Sequence, residues 1–227
     1  MSITENVARV REKLDIAASG RRVLLVAATK MNDAARVREA IAAGVDACGE
    51  NRVQELLQKR EEGAYVGAPL HFIGTLQKNK VRQIVGVADL IESVDSAELL
   101  ELISRHAARL GIRQDVLLEI NIAGEAQKSG MPPEALPAAL ELAAALPALR
   151  VRGLMTVPPI CGKSGDSNPY FTRMHQLFVD IAAKKYDNTT MDFLSMGMSG
   201  DFEDAVRCGA NIVRVGSAIF GARNYNV

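Results

Sequence analysis

Lys30 closes the run Val23-Leu24-Leu25-Val26-Ala27-Ala28-Thr29-Lys30, an apolar stretch followed by a threonine and one amine. A short Val- and Leu-rich run reads as a strand buried on both faces. Its carboxyl end is where a parallel α/β sheet opens to a ligand. Apolar surroundings lower the pKa of an amine, and a neutral amine condenses with an aldehyde to an imine. Two other segments offer backbone N–H groups. Met196-Gly197-Met198-Ser199-Gly200-Asp201 runs from a strand-like segment into a helical one. Gly197 and Gly200 permit close backbone approach there, and Ser199 adds a hydroxyl donor. Gly216-Ser217 repeats the arrangement one unit later. Either turn alone reads as an ordinary tight turn. Together, after the last two strands, they read as a phosphate cradle. Arg214 lies two residues before Gly216, so alternation puts both on one strand face. Its guanidinium can only donate. It can bind a phosphate, face an unprotonated ring nitrogen, or form an ion pair inside a barrel.

Short apolar runs alternate with helical patterns along the chain. The expected strands are Val23–Ala28, Val45–Cys48, Leu70–Ile73, Leu90–Val94, Val116–Ile122, Val151–Met155, Phe193–Met196 and Ile212–Val215. An opening amphipathic helix is expected over Ile3 to Ala17. Further helices are expected at Asp33–Ala43, Arg52–Arg60, Lys78–Val85, Ala97–Leu110, Pro133–Ala145 and Tyr170–Lys184, with Asn32 or Asp33, Ser96 and Asn168 as N-caps. Eight strands alternating with helices imply a parallel sheet, and eight closes a (β/α)8 TIM-type barrel. An open doubly wound sheet is the alternative, but no GxGxxG follows the first strand. No linker divides the chain, so residues 1–227 are expected to form a single barrel domain with an extra N-terminal helix. The segment Pro158–Pro169, rich in Gly and polar residues, reads as a mobile loop beside the site.

Composition excludes several classes. Lys plus Arg equals 27 and Asp plus Glu equals 27, with no basic run, so neither nucleic acid nor an anionic membrane is an expected partner. Cys48, Cys161 and Cys208 are widely spaced, as suits a reducing compartment. No apolar stretch reaches spanning length and no secretory start is evident, which points to the cytoplasm. His71, His106 and His175 are too far apart for a metal site and read as structural.

A strand-end lysine and a phosphate cradle on one barrel face suit two ligands. One is a phosphorylated sugar held as a Schiff base, as in an aldolase. The other is pyridoxal 5'-phosphate (PLP). Lys78, Lys80 and Lys128 also sit near strand ends and read as solvated, or as secondary PLP sites.

The segments Val26–Lys30, Gly49-Glu50-Asn51-Arg52-Val53-Gln54-Glu55, His71–Lys80, Asn121–Gly130, Gly153–Thr156, Ser195–Asp201 and Val213–Ser217 together resemble the YggS/PROSC family of PLP homeostasis proteins, in order and over nearly the whole chain. The resemblance implies the barrel of the alanine racemase N-terminal domain. It also implies Lys30 as the Schiff-base lysine, Ser199, Gly216 and Ser217 at the phosphate, Arg214 at the pyridine nitrogen, and Asn51 and Met155 lining the pocket. Thr75 departs from the family's usual residue at a variable position. The family implies a role in intracellular PLP (vitamin B6) and amino-acid balance, without robust catalysis. Apo PLP-dependent enzymes are the expected recipients of the cofactor, and a monomer or weak dimer is the expected state. The alternative is a low-activity amino-acid racemase. Racemisation needs an acid/base group on each face of the substrate. Lys30 supplies one, and the chain's tyrosines, Tyr65, Tyr170, Tyr186 and Tyr225, lie away from the strand ends.

Overall fold

Eight parallel strands close on themselves in sequence order in the computed structural model, which describes residues 1–159 and 165–221. They are β1 (Leu24–Ala28), β2 (Ala47–Glu50), β3 (Leu70–Phe72), β4 (Leu90–Val94), β5 (Gln114–Glu119), β6 (Leu149–Met155), β7 (Thr189–Ser195) and β8 (Ile212–Val215). Closure comes from β8 returning to β1, with Leu24 opposite Ile212 and Val26 opposite Arg214. The helices are α1 (Ile3–Ala18), α2 (Ala34–Ala42), α3 (Val53–Glu61), α4 (Val81–Ile84), α5 (Ala97–Arg109), α6 (Leu136–Ala144), α7 (Asn168–Ala182), α8 (Phe202–Arg207) and α9 (Ser217–Phe220). This is a (β/α)8 TIM-type barrel preceded by one extra helix. A capping box starts that helix: Ser2 accepts from the Glu5 N–H, and the Glu5 carboxylate accepts from the Ser2 N–H. Its buried Val7, Val10 and Leu14 pack on the outside of the barrel against α2, α8 and α9.

Strand ends differ from the sequence pattern where a polar side chain is satisfied. The second strand starts later than Val45 and runs to Glu50, whose carboxylate is fully buried among donors. The fifth starts at Gln114, whose side-chain amide accepts from Gly86 N and donates to Ala88 O, each at 2.9 Å. It ends at Glu119, and Ile120 leaves it to bridge Met131. Asp33 and Ser96 cap α2 and α5 as expected. Ser167, not Asn168, holds the N-cap position of α7, and Asn168 is its first helical residue. Residues 160–164, with Cys161, and Tyr225 lie outside the described residues.

The barrel interior is layered by polarity. Ala47, Leu90, Leu117 and Ile212 form an apolar floor with Leu24 and Phe193, and Val26 and Met155 pack against it from the rows of Arg214 and Ser195. Two residues further along their strands, Leu90, Leu117, Phe193 and Ile212 give way to Glu92, Glu119, Ser195 and Arg214. Alternation carries these side chains inward again, one layer nearer the carboxyl-terminal rim. Gly153 interrupts β6 at the waist, with φ 149° and a register shift against β7. A Cβ there would fall 1.8 Å from the Phe193 carbonyl oxygen, so only glycine permits this strand approach.

Candidate functional site

Lys30 lies two residues beyond β1 and is half-buried at the rim. Val26 points into the interior, so Ala28 and Lys30 continue that face by alternation. The glycine–serine corners meet beside it. Ser199 Oγ accepts from the backbone N–H groups of Gly216 and Ala218, each at 3.2 Å. A Cβ on Gly216 would lie 3.4 Å from Ala28 Cβ, so the cradle abuts the strand that carries Lys30. The turn into α8 depends on Gly197, with φ 95° and room for a Cβ only 2.6 Å from Ala205 Cβ. Ser217 is exposed next to Gly216.

Arg214 is buried in the upper interior layer, inside an ion network. Its guanidinium donates to Ser195 Oγ and, at 2.9 Å, to Thr156 O. Ser195 Oγ donates to Glu92 Oε2 at 2.6 Å, and His71 Nδ1 lies 2.6 Å from Glu92 Oε1. Arg214 Nη1 is 3.7 Å from Glu92 Oε2. The interior ion pair left open by the sequence is therefore present. These contacts use only part of the guanidinium's five-donor capacity. The sequence reading missed Glu92 and passed over His71 as merely structural. A charge inside the run Leu90-Ile91-Glu92-Ser93-Val94, buried on both faces, is itself the signal of an interior partner.

A cavity of about 340 Å³ opens at this rim, lined by Asn51, Thr75, Glu119, Lys128, Ser129 and Val157 with Ile73, Gly74 and Gln127; of the expected site residues it takes in Asn51, and neither Lys30 nor the glycine–serine corner. Asn51 Oδ1 is buried there without a hydrogen-bond partner. Met155 is only 1% exposed and packs in the interior in register with Glu119 and Ser195, while Val157 lines the cavity. Lys128 Nζ lies 2.5 Å from Glu125 Oε2, and Lys78 pairs with Glu98. Tyr65 is turned away from the interior, its hydroxyl on Glu50 at 3.2 Å. Burial, then the charge of Glu50, pushes its phenol pKa up.

Glu119 was also missed by the sequence reading. It is 4% exposed, and its Oε1 accepts from Ser129 Oγ at 2.7 Å. Burial raises its carboxyl pKa, and Asp95 adds to the rise against the opposing effects of Ser129 and Arg214. A raised folded-state pKa contributes stability that is fully present below the unfolded value and declines as pH climbs through the folded one. Glu119→Gln is therefore expected to change the thermal midpoint little at pH 4.5, the ordinary carboxyl value. At about pH 8 it is expected to raise the midpoint by a few degrees. A gain of equal size at both pH values would refute this account of the carboxyl.

The family described as alanine racemase, N-terminal domain, matches residues 1–224. A pyridoxal phosphate homeostasis protein of Aquifex aeolicus is 40% identical over 230 residues, covering 99% of this chain and 100% of that protein. Another, from Pseudomonas aeruginosa, is 41% identical over 229 residues, covering 99% and 97%. The PLP-bound structure of PipY from Synechococcus elongatus superposes with a TM-score of 0.86 at 34% identity, covering 97% of this chain and 100% of that one. An alanine racemase of Clostridium difficile, at 16% identity and a TM-score of 0.73, shares the fold; the chain covers 58% of its length.

Proposed function

This chain belongs to the alanine racemase N-terminal domain family, among the pyridoxal phosphate homeostasis proteins, and from that premise we propose that it binds PLP reversibly and serves PLP and amino-acid balance in the cytoplasm. In this reading residues 1–227 act as one binding domain. Lys30 holds the aldehyde as a Schiff base, and Ser199, Gly216 and Ser217 hold the phosphate. Arg214 donates to the ring nitrogen. Asn51 lines the ring pocket, with Met155 beneath it. The observation that carries the reading is the meeting of Lys30's strand with the cradle, where Gly216 packs against Ala28.

The residues suit the group. Two backbone N–H groups converge on Ser199 Oγ, which leaves the hydroxyl hydrogen of Ser199 to donate to an anionic oxygen. The orphaned Asn51 Oδ1 offers a polar contact that the protein itself leaves unfilled. Arg214 stays protonated and can only donate, which favours an unprotonated ring nitrogen. When bound, PLP supplies an aldehyde exchangeable between amines and an electron sink at an amino acid's Cα. Apo PLP-dependent enzymes would receive the cofactor from a monomer or weak dimer. Cys48 is no competing nucleophile, because burial, then the charge of Glu50, pushes its thiol pKa up to about 12 against the opposing charge of Lys59. No helix among the described residues is long and apolar enough to cross a membrane.

The test is a spectroscopic titration of the purified protein with PLP, followed by borohydride reduction and peptide mapping. A visible Schiff-base band and a reduced adduct on Lys30 are expected. A protein that stays colourless, or an adduct on another lysine alone, would remove the reading.

A further inference from the structure

Behind Lys30, on the outer face of β1, lies a buried ion cluster that PLP binding as described leaves unused. Lys59 on α3 is 5% exposed. Its Nζ lies 2.7 Å from Thr29 O, 2.6 Å from Glu50 Oε1 and 2.7 Å from Glu55 Oε1. An ammonium has three donors, and each has an acceptor. Glu50 Oε1 also accepts from Thr29 Oγ1 at 2.7 Å, while its Oε2 accepts from Asn51 N at 3.2 Å. Glu55 Oε1 accepts the N–H of Met31 as well.

The cluster thus grips both neighbours of Lys30. Thr29 is held by its carbonyl and hydroxyl, and Met31 by its N–H. Asn32 Nδ2 donates to the carbonyl of Lys30 itself at 3.0 Å. Met31 has φ 62°, a left-handed conformation that residues other than glycine rarely adopt without outside support. Buried ion clusters are weak sources of stability, because desolvation offsets much of their attraction. Fixing a backbone direction is a better reason for this one. It also explains the spacing in Gly49-Glu50-Asn51-Arg52-Val53-Gln54-Glu55 and the lysine after it. Glu50 ends a strand, while Glu55 and Lys59 face each other one helical turn apart.

We infer that Lys59, with Glu50 and Glu55, is a positioning group that sets the direction in which Lys30 presents its amine at the barrel rim. The inference rests on the reading of Lys30 as the Schiff-base lysine. Its test compares Lys59→Met and Glu55→Gln with the unaltered protein, using two probes. One is PLP; the other is 4'-deoxypyridoxine 5'-phosphate, which keeps the ring and phosphate but has no aldehyde. Both variants are expected to bind PLP about tenfold more weakly, the loss of one charge-assisted contact. Borohydride labelling of Lys30 should slow correspondingly, while affinity for the deoxy analogue stays within about twofold. A parallel loss for both probes would mean a general structural role and overturn the inference, as would unchanged PLP binding. If Lys59→Met does not fold, Glu55→Gln decides, since that side chain is 20% exposed and its replacement isosteric. An unaltered protein that is never labelled on Lys30 would instead mark failure of the underlying reading.

Discussion

Lys30→Ala is expected to bind PLP at least about a hundredfold more weakly than the unaltered protein and to show no visible band. The alanine removes the proposed covalent link but leaves the Ser199–Gly216 corner, Arg214 and Asn51 in place. Lys30 lies beyond the end of β1, so the strand ladder between β1 and β8 does not depend on its side chain. Affinity for the aldehyde-free analogue should therefore survive. Absorbance and equilibrium dialysis with both ligands separate the two contributions. A variant that still formed the band through Lys128, which lines the rim cavity beside Asn51, would show that the amine had been assigned to the wrong residue.

Glu92→Ala should destabilise the barrel by about 3–5 kcal/mol, the cost of stranding a buried charge. Glu92 is fully buried, and His71, Ser195 and Arg214 all converge on its two oxygens. Without it the Arg214 guanidinium keeps hydrogen bonds only to Ser195 and Thr156, both neutral, with the charges of Glu119 and Asp201 at longer range. Burial alone would push the Glu92 carboxyl pKa up, but His71, Arg214 and Ser195 together hold it below the ordinary value. A depressed folded-state pKa gives stability that is fully present above the unfolded value and lost as pH falls through the folded one. The deficit of the variant should therefore persist at neutral pH and shrink only as pH falls below the ordinary carboxyl value of 4.5, opposite in sense to the behaviour of Glu119. Urea denaturation at several pH values measures this. A variant as stable as the unaltered protein at neutral pH would mean that the two neutral partners suffice.

The two carboxylates also show where the sequence stops being informative. Glu92 lies inside one apolar strand run and Glu119 near the end of another. A buried charge in such a run announces that a partner exists, yet the partners of Glu92 lie on β3, β7 and β8 and are set by barrel closure and register. Gln114 hides a strand start for the same reason, since its amide is satisfied by a loop and a carbonyl from distant positions. The corner at Ser199 and Gly216 was legible as two turns, but their meeting through Ser199 Oγ was not.

Period and punctuation determined the eight strand–helix units, the opening helix and the rim that carries Lys30, because strand alternation and helix caps are local properties of the chain. Tertiary structure alone decided which side chains share the upper layer of the barrel and how Lys59 reaches the residues flanking Lys30. Those pairings join residues far apart in the chain, and only closure of β8 onto β1 and the seating of α3 bring their charges within hydrogen-bonding range.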